Sequence, residues 1–147
     1  MSGVSIHVTP GLPYDIRMDY NCQVAELLAP PSPRVALNAY DRIASAWGLG
    51  VKDSATLLGV SERTAYRWLK EGHRDHASAD TLERVALLTV IWENLAAIFG
   101  RSELARTWVK RPNADFGEQP PLQRLLHGTV TDLVFVRTYL DRVRHGW

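Results

Sequence analysis

Basic, aromatic and hydroxyl side chains cluster in one short segment in the first half of the chain. They share the face of a predicted helix or its N-terminal end: Ser61, Arg63, Thr64, Tyr66, Arg67 and Lys70. Guanidinium groups form paired hydrogen bonds with guanine edges or with phosphate oxygens, and a helix N-terminus itself favours phosphate. The segment therefore predicts a helix that binds DNA.

The residues around this helix have the pattern of a helix-turn-helix. Ala55 is small enough to let a second helix cross closely, and Gly59 accepts the positive φ of a tight turn. The side chains spaced for the buried wedge between the two helices are Leu58, Val60, Ala65 and Trp68. Two alternatives remain: a helical hairpin with a merely solvated basic face, and a helix-turn-helix that now serves only protein contacts.

The charge distribution also favours this region as the contact for an anionic partner. Residues 34–74 hold seven Lys/Arg and four Asp/Glu, a net charge of +3, whereas the whole chain has +1. Since +3 is modest, one copy should bind DNA weakly. Useful affinity would need a dimer that contacts two half-sites.

Helical periodicity runs through the rest of the chain, and no convincing strand alternation occurs, so the predicted fold class is all-α. The predicted helices cover approximately 34–47, 52–58, 62–71, 80–99, 102–110, 122–127 and 129–144, and a further short one is possible over 19–28. The apolar stripe of the first is Val35, Leu37, Tyr40, Ile43, Ala44 and Trp47. Ser61 can cap the third helix, and Asp80 with Glu83 resembles a capping box.

The predicted organisation has three parts. Residues 1–33 form a proline-rich N-terminal arm, 34–74 a helix-turn-helix region, and 75–147 a helical module. The helix over 80–99 is apolar nearly all round, although it is too short to span a bilayer and carries Glu93 and Asn94. Because one short chain can hardly cover such a helix on every side, we expect a homodimer or a larger assembly.

The last third of the chain has an ordered series of aromatic, proline and glycine positions. In order, the positions are Leu104, Trp108, Pro112-Asn113, Phe116-Gly117, Pro120-Pro121, Leu125-Leu126, Gly128 and His145-Gly146-Trp147. This order resembles the toxin-binding domain of the Xre/MbcA/ParS-type antitoxins. The helix-turn-helix segment resembles the Xre-like, phage-repressor class, so the resemblance covers roughly residues 35–147.

The resemblance implies an antitoxin of a type II toxin–antitoxin system. Its partner would be a RES-domain toxin that degrades NAD or transfers ADP-ribose from it, and the antitoxin would cover the toxin's active-site entrance. The helix-turn-helix would repress the shared operon by binding operator DNA.

Two groups of residues in this module have different expected roles. Four are expected to shape it, with Trp108 in the core, Pro112 ending its helix and Asn113 capping the loop: Trp108, Pro112, Asn113 and Gly128. The predicted toxin-binding residues end the chain: Arg142, Arg144, His145, Gly146 and Trp147. The terminal ring can fill an aromatic slot in a partner's nucleotide cleft, while Arg or the carboxylate takes polar subsites; alternatively, Trp147 folds back onto its own core.

Other chemistry lacks support in the sequence. Cys22 is the only cysteine, which excludes a disulfide framework and a cysteine-rich zinc site, and His73 and His76 lack a third ligand in clear register. We therefore expect no enzyme activity, no cofactor and no metal, in a cytoplasmic protein without membrane contact. The rival interpretation is a free-standing helix-turn-helix transcription regulator with a C-terminal dimerisation or ligand-sensing domain; a third is an adaptor that has lost DNA binding.

Overall fold

The computed structural model describes residues 30–100 and 102–146, and this part of the chain contains seven α-helices. They are α1 (Pro33–Trp47), α2 (Val51–Leu58), α3 (Glu62–Leu69), α4 (Ala79–Phe99), α5 (Glu103–Thr107), α6 (Pro121–Leu125) and α7 (Val130–His145). Two short 3-10 helices, Trp108–Lys110 and Ala114–Phe116, lie between α5 and α6. The all-α prediction is confirmed. The predicted arm up to residue 29 and its possible helix lie outside the described residues.

Local capping signals explain most helix boundaries, with one correction. Ser61 caps α3, since its Oγ accepts a hydrogen bond from the Thr64 backbone N–H at 3.1 Å. The predicted capping box at the start of α4 is wrong. Ser78 caps this helix instead, and its Oγ accepts from the Thr81 N–H at 3.1 Å, while Asp80 pairs with a residue one turn later in α4.

The long helix α4 forms the centre of the packing, between α1 and α7. Its fully buried apolar side chains are Val85, Leu88, Ile91 and Leu95. Burial of each such side chain stabilises the fold by about 1.5–3 kcal/mol. Other apolar side chains of α4, among them Leu87, Val90 and Ile98, are only half-buried, and the homodimer stays a prediction.

One hydrophobic cluster extends from α1 through α4 to α7. At one end of it, the rings of Trp47 and Trp92 meet edge to face with centroids 6.4 Å apart. Val35 was expected on the inward stripe of α1, but it is 59% exposed because Ala36 takes the buried position. The two regions predicted on either side of residue 74 therefore share one hydrophobic core. Their separation stays a prediction about function.

A half-buried arginine, Arg74, fixes the loop that follows α3. The Arg74 guanidinium donates to the Trp68 carbonyl at 2.6 Å, to Asn38 Oδ1 at 2.6 Å and to Asp41 Oδ2 at 3.0 Å. These three contacts hold the end of α3 against α1, so the orientation of α3 is set by side chains far apart in sequence. Within the described residues, no helix is long and apolar enough to cross a membrane.

Candidate nucleic-acid interface and C-terminal surface

The helix-turn-helix is built by a small buried contact between α2 and α3. Ala55 and Ala65 are both buried there, which lets the two helices approach closely. Gly59 forms the turn with φ at 69°, a left-handed conformation that glycine adopts at little cost. The predicted wedge is confirmed, since Leu58, Ala65 and Trp68 are buried and Val60 packs against the core.

The outward face of α3 brings the predicted DNA-binding residues together. Arg63, Tyr66, Arg67 and Lys70 are exposed, and Tyr66 presents half of its surface to solvent. Ser61 and Thr64 lie at the N-terminal end, where the Ser61 hydroxyl donates to Thr64 Oγ1 at 3.0 Å. Ser61 thus holds the first turn of α3, while the four larger side chains extend toward solvent.

The cations on the outward face of α3 differ from Arg34 and Arg74, two basic residues of the same region that are paired with aspartates. Arg34 pairs with Asp75 at 2.7 Å, whereas no ion pair among the described residues includes Arg63, Arg67 or Lys70. Their charge is therefore not neutralised within that part of the chain. Such cations are suited to contact phosphate oxygens and release counterions.

Arg84 on α4 lies next to the turn of the helix-turn-helix at Gly59. Arg84 Nε donates to Asp80 Oδ2 at 2.9 Å, and its Nη1 donates to the Gly128 carbonyl at 2.8 Å. A Cβ placed on Gly59 would lie only 2.8 Å from Arg84 Nε, so the turn needs glycine for space as well as for φ. Gly128, at φ 84°, lies against α2, where an added Cβ would be 3.3 Å from Thr56 Cγ2. Arg84 thus lies beside the turn at Gly59 and is hydrogen-bonded to the loop before α7.

Trp108 lies at the edge of the core rather than at its centre. Its ring stacks on Tyr139 with centroids 6.1 Å apart and meets Phe116 edge to face at 5.9 Å. Its neighbour Val109 is the fully buried residue. The aromatic cluster therefore fixes the loop between α5 and α6 against α7.

The loop itself closes around Asn113. Its Oδ1 accepts from the Asp115 N–H at 2.9 Å, and its own N–H donates to the Gln119 carbonyl at 3.2 Å. The expected capping role of Asn113 is confirmed. Pro112 is exposed, and Arg111 before it is extended at φ −92° and ψ 138°, as proline requires, so the preceding 3-10 helix ends at Lys110.

Tyr139 ties this loop to α7. Its hydroxyl donates to Asp115 Oδ2 at 2.7 Å. Burial raises the pKa of Tyr139, and the neighbouring Asp115 carboxylate raises that pKa further. The tyrosine therefore stays neutral and acts as a hydrogen-bond donor at neutral pH.

The predicted toxin-binding residues do not all form a free tail. Helix α7 continues to His145, so Arg142, Arg144 and His145 are helical, and Gly146 follows at φ 88°. Arg144 Nη1 donates to Asn94 Oδ1 at 3.1 Å, which holds Arg144 against α4. Arg142 and His145 are exposed on another side of α7. Trp147, the centre of the prediction, lies outside the described residues.

The structure also reveals an aromatic surface that sequence reasoning missed. Phe135 on α7 is 43% exposed, with the Phe116 ring 5.9 Å away edge to face and the Arg124 guanidinium 4.3 Å above its centroid. A shallow cavity of about 240 Å³ lies beside them. The sequence did contain a sign of this surface: Phe135 lies outside the apolar stripe that includes Leu133 and Val136, on the face of α7 expected to be polar.

Within residues 30–100 and 102–146, no group of three or more His, Cys, Asp or Glu side chains could hold a metal ion. His73 and His76 line a cavity of about 310 Å³ next to α3, together with Arg67, Trp68 and Asp75. In this position the histidines lie beside α3, the helix predicted to bind DNA.

Two family models match successive parts of the chain. Residues 27–89 match the antitoxin Xre-like helix-turn-helix domain, and residues 94–146 match the antitoxin Xre/MbcA/ParS C-terminal toxin-binding domain. A similar curated protein is the uncharacterized protein y4oB of Sinorhizobium fredii (strain NBRC 101917 / NGR234). It is 40% identical over 111 residues, which cover 75% of this chain and 84% of the relative. The boundary between the two matches falls inside α4.

Proposed function

Because this chain belongs to the Xre/MbcA/ParS antitoxin family, as a type II antitoxin with a helix-turn-helix, we propose that it neutralises a RES-domain toxin by covering the toxin's NAD-binding site. The observation that carries the proposal is the succession of a DNA-binding and a toxin-binding domain on one shared core. The proposal gives the chain no catalytic step and no cofactor of its own. In this proposal the chain acts in the cytoplasm, where its operator and its toxin are both accessible.

The DNA-binding half of the proposal rests on α3. Arg63, Arg67 and Lys70 would contact phosphates and base edges in the major groove, with Tyr66 among them. Since the local charge is modest, repression would use two copies of α3 on half-sites about 34–36 Å apart. A homodimer, or a larger assembly with toxin, would supply them.

The toxin-binding half rests on the end of α7. Arg142 and His145 are exposed there, next to the terminal Gly146-Trp147. In the proposed complex the indole of Trp147 enters the nucleotide cleft and the basic side chains take its polar subsites. Arg144 has a different role, since its contact with Asn94 orients the last turn of α7.

The direct test is an NAD-consumption assay. The product of the neighbouring reading frame is purified, and the full-length antitoxin is titrated into its reaction with NAD. We expect NAD loss to fall to the uncatalysed rate near stoichiometric antitoxin. Undiminished NAD loss at saturating antitoxin, in a mixture that forms a complex, would reject occlusion.

One observation favours the rival function, a free-standing regulator that senses a ligand. A cavity of about 400 Å³ lies between α1, α4 and α5, with Trp92, Ala96 and Ala105 among its lining residues and Arg42 and Arg106 beside them. A regulator of this kind would bind its operator with the same affinity whether or not a RES-domain protein is present. Operator titrations with and without the toxin therefore discriminate the two functions.

A further inference from the structure

We propose that the toxin docks on a second surface of the same domain, away from the chain terminus. This surface, called the Phe135 surface, consists of Phe116, Pro120, Arg124 and Phe135, which line one cavity, together with Val134, the exposed residue before Phe135 on α7. The inference rests on the proposed function, because it assigns the same partner to these residues. It makes the terminal residues only one end of a longer contact.

The Phe135 surface is rigid before any partner arrives. The Phe135 ring is held edge to face against Phe116, with centroids 5.9 Å apart and planes at 88°, and Arg124 covers its other side at 4.3 Å. Phe116 in turn packs on Tyr139 at 5.0 Å. An aromatic group that is already fixed loses little conformational entropy on binding, which is typical of residues that dominate an interface.

The charge of this surface is balanced internally. Arg124 Nε lies 2.5 Å from Asp132 Oδ1, and the Asp132 backbone N–H donates to Thr129 Oγ1 at the N-cap of α7. The ion pair holds the guanidinium beside Phe135 and offsets part of its positive charge, and the Asp115 carboxylate also lines the adjacent cavity. A polyanion such as DNA is therefore a poor occupant, and an apolar protein surface is a good one.

The position of the surface favours the toxin over a second copy of the chain. All five residues lie within 94–146, the part that matches a toxin-binding domain. Helical spacing places Arg142, seven residues after Phe135, on the same face of α7, about 10 Å along the axis at 1.5 Å per residue. His145 lies about 15 Å along the axis from Phe135 and is rotated by roughly 80° from it. A toxin that covers the end of α7 can thus rest on the Phe135 surface at the same time.

The expected contact is one projecting apolar or aromatic side chain of the toxin. It would enter the cavity of about 240 Å³ beside Phe116 and Phe135. Gln119 and Gln123 line the same cavity and can hydrogen-bond to the backbone around that side chain. This is the arrangement of an apolar anchor within a polar rim.

The test compares two variants of the full-length chain that each remove one exposed apolar side chain. Phe135→Ala is expected to weaken binding of the purified toxin by at least about 30-fold, measured by calorimetry and by inhibition of NAD consumption. Val35→Ala is the matched control, since Val35 is 59% exposed on α1, outside the toxin-binding match. Its affinity should stay within about 3-fold of wild type. Val134→Lys, at another exposed position of α7, should weaken binding without a change in thermal stability.

Three outcomes would overturn the proposal. Wild-type affinity of Phe135→Ala, with a wild-type chain that binds and inhibits, rejects this surface alone. Loss of self-association in Phe135→Ala, with toxin affinity unchanged, shows that a second copy occupies the surface. Failure of the wild-type chain to bind the toxin rejects the proposed function together with this inference.

Discussion

The outward faces of α3 and α7 show two different ways in which one small core presents a binding surface. On α3, Arg63 and Arg67 have no acidic partner among the described residues. Around α7, by contrast, Arg124 and Arg137 are paired with Asp132 and Asp141, and Arg142 near the end of the helix is the exposed exception. The first face presents positive charge, whereas the second presents aromatic and aliphatic surface.

This difference indicates which kind of partner each face fits. Free cations gain from a phosphate backbone, and their contribution falls as salt rises. Exposed aromatic rings with balanced charge gain from burial, which salt affects little. The two faces nevertheless depend on one central helix, α4, which packs against α1 and α7. Arg84 on α4 lies beside Gly59, in the turn before α3, and donates a hydrogen bond to the Gly128 carbonyl, in the loop before α7. Their ligands can therefore be separated by surface mutations, whereas core mutations will affect both.

Mutations on α3 are expected to separate DNA binding from toxin inhibition most strongly. Replacement of Arg63 and Arg67 together by Ala should lower operator affinity by about 2–6 kcal/mol, since each guanidinium contact with a base pair contributes roughly 1–3 kcal/mol. The salt dependence of the remaining binding, measured by fluorescence anisotropy, should also become flatter. Toxin inhibition should be unchanged, which is the control. A parallel loss of toxin inhibition would mean that α3 is part of the toxin contact.

A smaller difference between toxin neutralisation and DNA binding is expected for changes at the end of α7. Deletion of residues 144–147 should weaken toxin neutralisation by about 30-fold, as for a lost hot-spot residue, with little change in DNA affinity. Deletion of 146–147 alone is the matched control, because it keeps the Arg144–Asn94 hydrogen bond. If the shorter deletion costs as much as the longer one, Trp147 carries the contact. Equal losses of DNA binding and neutralisation would mean that the end of α7 serves the fold instead.

The smallest expected effect is a change in stability on substitution of Asp132, which forms an ion pair with Arg124 of the Phe135 surface. The hydrogen bond from Thr129 lowers the pKa of Asp132, burial opposes this shift, and Arg124 lowers the pKa further. A carboxyl with a lowered folded-state pKa stabilises the fold above its ordinary value of 3.8, and this stabilisation is lost as pH falls through the folded-state pKa. Asp132→Asn should therefore be less stable than wild type at pH 7, with a difference that shrinks in strong acid.

Denaturant unfolding at several pH values measures this difference. Thr129→Val is the companion variant, since it removes the hydroxyl that bonds to Asp132 Oδ2 at 2.5 Å. It should reproduce part of the loss at neutral pH. A stability difference that stays constant down to strong acid would contradict the role assigned to the Asp132 charge.

Features that depend on neighbours in sequence were predictable. The turn at Gly59 and the caps at Ser61 and Asn113 follow from local backbone chemistry, and the structure has all three. The start of α4 shows the limit of such reasoning. Both Ser78 and Asp80 are capping residues by type, and the contact of Thr81 Oγ1 with the Leu58 carbonyl at 3.1 Å, 23 residues away, adds a tertiary reason for the earlier start.

Features that depend on distant partners were not predictable. The hydrogen bond between Arg144 and Asn94 joins positions 50 residues apart, and it turns a residue expected in a free tail into part of the packing. The exposure of Phe135 depends in the same way on which face of α7 meets α4. Periodicity predicts a stripe of Leu133, Val136, Leu140 and Val143; the first three are buried, but Val143 is 40% exposed, so its assignment to the stripe is wrong. Periodicity also could not assign a partner to an aromatic residue outside that stripe.

Occlusion of the toxin's NAD site, as proposed above, can be measured by equilibrium binding of a non-hydrolysable NAD analogue to the toxin. The analogue's affinity is measured for the free toxin and for the toxin saturated with full-length antitoxin. We expect the analogue to bind the free toxin and the complex to have no measurable affinity for it. Equal affinity in the two samples would contradict occlusion, wherever on the toxin the antitoxin binds.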